Sequence, residues 1–151
     1  MINTKSCFIL FCFRLSAFFS HNILLRIIGF PIRIFYKLIV QWVLGVDLPD
    51  GTKVGKNFVI YHGQGFVVNS KTIIGDNVIA RHNTTIGNSK PGGGCPIIGN
   101  NVEIGANVVI VGPIKIGNNS IVGAGSVVVH DVPPYSVVVG NPAVVVKINK
   151  I

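Results

Sequence analysis

Acid is what this chain has least of. Only 5 of its 151 residues are Asp or Glu, against 13 Lys or Arg, for a formal net charge of +8. That balance points to anionic partners: phosphate-bearing cofactors, acidic glycans or a membrane surface. Nucleic acid is not expected, because the cations are scattered and no aromatic-basic platform accompanies them. Charge of either sign is scarce, at 12 % or about half the usual quarter. Cysteine is scarce too. Cys7, Cys12 and Cys95 form an odd set without framework spacing, which reads as free thiols in a reducing compartment. Zinc would want about three converging histidines, yet no two of the four are closer than about twenty residues, so no metal is expected. No uncharged apolar run reaches the roughly 18–20 residues of a membrane span. The apolar run Cys7–Phe13 is cut by Arg14, and no small-x-small cleavage site follows as a signal peptide would need. The expected location is the cytoplasm, with the inner face of the cytoplasmic membrane within reach.

What the chain has instead is a period. Val54, Ile60, Val68, Ile74, Ala80, Ile86, Ile98, Ile104, Ile110, Ile116, Val122 and Val128 recur almost every six positions from Leu48 onward. Gly follows many of them directly, as at Gly55, Gly75, Gly99 and Gly117, usually with Asn soon after. Six matches neither an amphipathic helix nor a flat strand. It suits a coil of three short strands whose apolar residues point to one axis while Gly and Asn turn the corners. That is a hexapeptide-type parallel β-helix.

Three regions follow. Residues 1–46 are rich in Phe, Ile and Leu, lack the period, and predict two helices over about 5–20 and 22–44. Ser20 or Asn22 would be the N-cap and Pro31 a kink. Two compatible readings are open for this segment: a cap closing the solenoid's end, and a basic amphipathic pair lying on an anionic membrane. Residues 47–132 form the β-helix, and 133–151 an extended segment packing back on it through the turn Gly140–Ala143. The period breaks twice, at Tyr61-His62-Gly63-Gln64-Gly65 and at Asn88–Pro96. The second run, with its glycines and prolines, must leave the coil as a loop. Loops on a rigid scaffold are where function concentrates.

Among the histidines, His21 reads as packing and His130 as a solvated corner. His62 lies fifteen residues after Asp47, close to the length of one coil. The two would therefore meet on one edge of coils stacked about 4.8 Å apart. A carboxylate fixing one ring nitrogen leaves the other to take a proton from a hydroxyl, as general-base catalysis requires. A satisfied surface histidine is the competing reading. His82, beside Arg81, is better read as a substrate contact.

With these motifs in view, residues 45–148 resemble the hexapeptide-repeat acyltransferases in their serine acetyltransferase branch. Gly45-Val46-Asp47 is similar to that branch's GVD opening, Tyr61–Gly65 to its DHATG, and Thr85-Ile86-Gly87 to its TLG. Gly93-Gly94-Cys95-Pro96 is similar to its GGDRHP loop, Gly123–Val128 to its GAGSVV, and Gly140–Ala143 to its G-x-PA. The resemblance implies a mainly β, left-handed parallel β-helix with a short helical segment before it. It also implies a homotrimer that binds acetyl-CoA between subunits, and His62 as general base oriented by Asp47. Cofactor contacts would fall near Gly87, Ala106 and Ala124, with Lys147 and Lys150 toward the phosphates.

The departures matter. Where the branch has an acid before the catalytic histidine this chain has Tyr61, and where it has a loop histidine this chain has Cys95. Tyr61, Arg81, His82 and Cys95 are therefore the candidate acceptor contacts. Cys95 has a second reading, as an acyl-carrying nucleophile. The pattern looks closer to the acetyltransferases of colanic acid and capsule synthesis, which implies an O-acetyltransferase acting on a glycan or lipid-linked sugar hydroxyl. Serine O-acetylation is the first alternative, and a non-catalytic β-helix scaffold the second.

Overall fold

The computed structural model describes residues 4–148. Lys150 lies outside them. The periodic part winds as a three-faced parallel coil. The first face carries Val46–Asp47, Phe66–Val68, Thr85–Gly87, Val109–Val111 and Val127–Val128. The second carries Lys53–Val54, Ile73–Ile74, Ile97–Ile98 and Lys115–Ile116. The third carries Val59–Tyr61, Ile79–Arg81, Glu103–Ile104, Ile121–Val122 and Ser136–Gly140, and an antiparallel edge strand, Ala143–Ile148, closes it.

Two-residue strands hold because every coil repeats the one below. Eleven of the twelve periodic residues are buried, and Val54 is half-buried at the edge. Each buried Ile or Val is worth roughly 1.5–3 kcal/mol, and the stack supplies all of them along one axis. At the corners the backbones nearly touch: a Cβ on Gly55 would lie 2.5 Å from the Gly75 carbonyl. Asn57, Asn77, Asn101 and Asn119 all turn with positive φ, which Asn tolerates better than other side-chain-bearing residues. Their amides form a ladder, Asn57 Nδ2 to Asn77 Oδ1 at 3.0 Å, then on to Asn101 at 2.9 Å and Asn119 at 3.0 Å.

Both interruptions show in the register. On the first face Val67 pairs with Thr85 and Val109 with Val127, a coil of eighteen residues. Val46 pairs instead with Phe66, and Thr85 with Val109, so the corner at His62 adds two residues and the loop over 88–96 adds six.

The helical region differs in detail from the expectation. Helix α1 is Thr4–Phe19. The second segment is not one kinked helix but α2 (Ile23–Ile28), α3 (Phe30–Phe35) and a π-helix, Tyr36–Val43. Asn22 caps α2, its Oδ1 accepting from Leu25 N at 2.9 Å. The break falls at Gly29, before Pro31, because the backbone there runs against Phe19: a Cβ would lie 2.2 Å from the ring. Pro31 then sits in the first turn of α3, where its missing N–H costs nothing. The π-helix ends with Leu44 N donating to Ile39 O at 2.9 Å. It buries Tyr36 and Val40, and the Tyr36 hydroxyl donates to Leu48 O at 2.5 Å.

α1 lies against the first coil, whose strands Lys53–Val54 and Val59–Tyr61 are sheet edges. Ile9 and Phe13 enter the core. Ser6 Oγ donates to Ile60 O, and Arg14 to Val54 O at 2.8 Å and to Gly55 O. These donors satisfy edge carbonyls that no strand covers. Arg33 Nε meets Asp50 Oδ2 at 2.7 Å, and Ser16 Oγ donates to the same oxygen at 2.8 Å.

Candidate active site

The corner between the third and first faces holds two of the candidate residues, His62 and His82. In the first coil Tyr61 pairs with Arg81, and two residues later in the same coil's corner the chain is wider than the coil above. His62 takes up that extra length with φ +68, and Gly63 follows at +72. A left-handed turn costs a non-glycine residue about 1–2 kcal/mol, so the exposed imidazole is held out at a strained position. Gly63 is required: a Cβ would meet Ile9 and Val46, each at 3.2 Å, in a backbone conformation that already disfavours one.

The wider corner brings His62 against His82. Their rings stand edge to face with centroids 5.8 Å apart. His82 Nδ1 is buried and has no hydrogen-bond partner among the described residues. Above it the column continues: Asn107 N donates to His82 O at 3.1 Å, and Gly125 N to Ala106 O at 2.8 Å. His82, Ala106 and Ala124 thus follow one another up a single corner. Ala106 is half-buried and Ala124 exposed, so small side chains border open surface there.

Asp47 lies one coil lower on the first face, paired with Val67. No hydrogen bond joins it to His62 among the described residues. Its Oδ1 instead accepts from Gln41 Nε2 at 3.4 Å. The carboxylate opens into a groove of about 370 Å³ across the first face, lined among others by Val67, Asn69, Thr85, Gly87 and Asn88. Asn69 Nδ2 bonds Asn88 Oδ1 at 3.0 Å, bracing the root of the loop. Gly87, which lines this groove, lies at the far end of the face from the histidines.

Cys95 does not join them within the chain. Its loop leaves the first face after Gly87 and re-enters the second face at Ile97, so it spans a different corner of the prism. Cys95 is half-buried and free. Lys147 is exposed on the terminal strand, paired with Val137. Gln41, Asn69 and Asn88 were not among the sequence candidates. Gln41 carried no signal, whereas Asn69 and Asn88 follow the apolar corner positions Val68 and Gly87 and could have been read as corner residues.

The family profile of bacterial transferase hexapeptide (six repeats) matches residues 95–130. A protein with the provisional name colanic acid biosynthesis acetyltransferase WcaB, from Escherichia coli (strain K12), is 38% identical over 144 residues. That match covers 92% of this chain and 89% of the relative. The chain belongs to the hexapeptide-repeat acyltransferases.

It is therefore an acyltransferase, and its fold is the mainly β, left-handed parallel β-helix that the resemblance implied. Serine acetyltransferase of Staphylococcus aureus (strain N315) is 40% identical over 111 residues, covering 72% of this chain and 52% of that protein. The soybean serine acetyltransferase apoenzyme superposes with a TM-score of 0.77 at 37% identity, over 89% of this chain and 55% of that one. Serine acetyltransferase from Brucella abortus strain S19 in complex with coenzyme A gives 0.80 at 27% identity, over 93% and 55%. This hexapeptide-repeat chain thus spans nearly all of the colanic acid relative but about half of the serine acetyltransferases.

Proposed function

We propose that the protein transfers acetyl from acetyl-CoA to a sugar hydroxyl of a cell-surface polysaccharide of the colanic acid type. The observation that carries this reading is the near end-to-end match to the colanic acid relative. Tyr61 and Cys95, in place of an acid and a histidine, support it. Neither can offer the charge that would pair with a free amino acid's ammonium or carboxylate. Tyr61 and Arg81, side by side in register, suit a sugar, presenting a flat ring and a fork of donors.

In this reading His62 takes the proton of the acceptor hydroxyl. The oxygen attacks the thioester carbonyl, and backbone N–H groups of the Gly/Ala corner steady the tetrahedral oxyanion. Collapse breaks the carbon–sulfur bond, and the imidazolium returns its proton to the leaving thiolate. Asp47 orients the imidazole once its carboxylate turns from Gln41. The groove beside Gly87 has room for part of the donor's arm away from the reacting carbonyl, while Ala106, Ala124 and Lys147 would line the rest of its path. A complete site needs a neighbouring copy in a homotrimer, whose loop would bring Cys95 to the corner that His62 occupies.

Serine O-acetylation remains the second reading, favoured by the 40% identity to serine acetyltransferase. Two assays separate them. Mass spectrometry of surface glycan from cells with and without the gene should show loss of one acetyl mass per repeat. Purified protein with acetyl-CoA and L-serine should release negligible CoA. Serine turnover with unchanged glycan would replace the sugar reading with the second.

A further inference from the structure

The helical region buries one side of itself and leaves a large apolar surface without a partner. α1 sends Ile9 and Phe13 inward but keeps Phe11 and Phe18 outside. No side chain of α2 or α3 is fully buried, and only Leu25, Ile32 and Arg33 are half-buried. Ile27 and Phe30 are more than half exposed, and Trp42 is 81% exposed. Between α1 and α3 runs a groove of about 360 Å³, lined almost wholly by carbon, whose rim includes Phe11 and Phe35. A soluble surface rarely tolerates so much contiguous apolar area unless something covers it.

Charge identifies the cover. Residues 4–46 contain five cations and no Asp or Glu. Arg14 and Arg33 are engaged by the β-helix, on Val54 and Gly55 carbonyls and on Asp50. Arg26 and Lys37 stay exposed among the apolar residues, although Arg26 Nε donates to Ser20 O at 3.2 Å and the Lys37 charge acts on Asp50. A second copy laid face to face on this surface would set cation against cation, whereas lipid phosphates would neutralise them. An exposed tryptophan is also typical of a membrane interface.

We propose that this face docks on an anionic bilayer, with Ile27, Phe30 and Trp42 entering the headgroup boundary and Arg26 and Lys37 against lipid phosphates. Among the described residues no helix is long and apolar enough to cross a membrane. The contact therefore lies in the interfacial plane. The inference rests on the sugar reading for its use. The same helices lie against the coil that carries His62, so the base stands within a few coils, each about 4.8 Å, of the lipid surface. A sugar tethered to a lipid phosphate is thereby brought to the imidazole.

Trp42 is the sole tryptophan of the chain, so its emission reports the contact without a label. The full-length protein is titrated with vesicles of mixed phosphatidylglycerol and phosphatidylcholine, and with phosphatidylcholine alone. Emission should shift to the blue and the protein should float with the anionic vesicles, less so in high salt or on the neutral ones. Ile27→Asp with Phe30→Asp, both on exposed positions, should weaken binding at least about tenfold. Oligomeric mass and acetyl transfer to a soluble sugar acceptor should be unchanged. Arg26→Gln with Lys37→Gln should remove the preference for anionic vesicles. Emission and flotation indifferent to anionic vesicles would overturn the proposal. So would a blue shift that follows protein concentration without lipid, which would make a second copy the occupant. Docking without sugar acetylation would leave this contact standing and remove the acceptor reading instead.

Discussion

His62 and His82 face each other edge to face at 5.8 Å although they come from successive coils of different length. The extra residues at the first corner push His62 outward and put it beside a ring whose own Nδ1 is buried and, among the described residues, unpaired. His62→Ala should lower kcat by roughly 10²- to 10⁴-fold, read as CoA release with the true acceptor. Near-normal release would remove it as the base.

His82→Phe separates stability from function. A buried polar atom without a partner costs about 1–3 kcal/mol, so an apolar ring of similar shape should keep or raise the melting temperature. Activity should still fall about tenfold, because the acceptor loses a contact beside the base. A fall in both would mean that His82 is structural.

Asp47 and Gln41 make a second pair of tests. If Asp47 orients His62, Asp47→Ala should reduce kcat by ten- to a hundredfold or so, while Gln41→Ala, which frees the carboxylate, should leave kcat intact or raised. Loss in Gln41→Ala equal to that in Asp47→Ala would point to the amide as the functional partner.

Asp50 ties the helices to the first coil. Burial pushes its pKa up, but hydrogen bonds from Arg33 and Ser16 and the charges of Arg33 and Lys37 outweigh that, and the net shift is downward. A carboxylate lowered on folding stabilises the folded state above its unfolded pKa of about 3.9. That contribution is lost as pH falls from there through the folded value. Asp50→Asn should cost about 2 kcal/mol at neutral pH and flatten the acid limb of the melting curve. An unchanged acid limb would show that the pair does not hold the helices.

The Asn ladder is testable at Asn77, which has φ +56 and bonds Asn57 and Asn101. Asn77→Ala loses both bonds and strains the turn, so it should destabilise by roughly 2 kcal/mol. Asn77→Gly, free of the strain, should cost about half as much. Equal losses would mean that the ladder, not the turn, carries the energy.

Much of this was legible residue by residue. Each periodic side chain has only one axis to point to, so burial of Ile60, Ile74 or Ile98 follows from spacing alone. The loop over 88–96 was legible because proline and glycine cannot continue a rung. The break of the second helix was not, since it depends on Phe19 pressing against Gly29 across the helix turn. Gln41 on Asp47 was equally hidden, because the phase of the π-helix is set by Tyr36 and Val40 packing inward.

By itself the sequence determined the repeat, the three-sided coil and the places where it must widen, because apolar period and corner chemistry are local properties carried by every copy of the motif. Only the tertiary structure decided which residues meet at the widened corner and which apolar faces remain uncovered. Register between coils, and the angle at which the helices rest on the first of them, are fixed by side chains far apart in the chain.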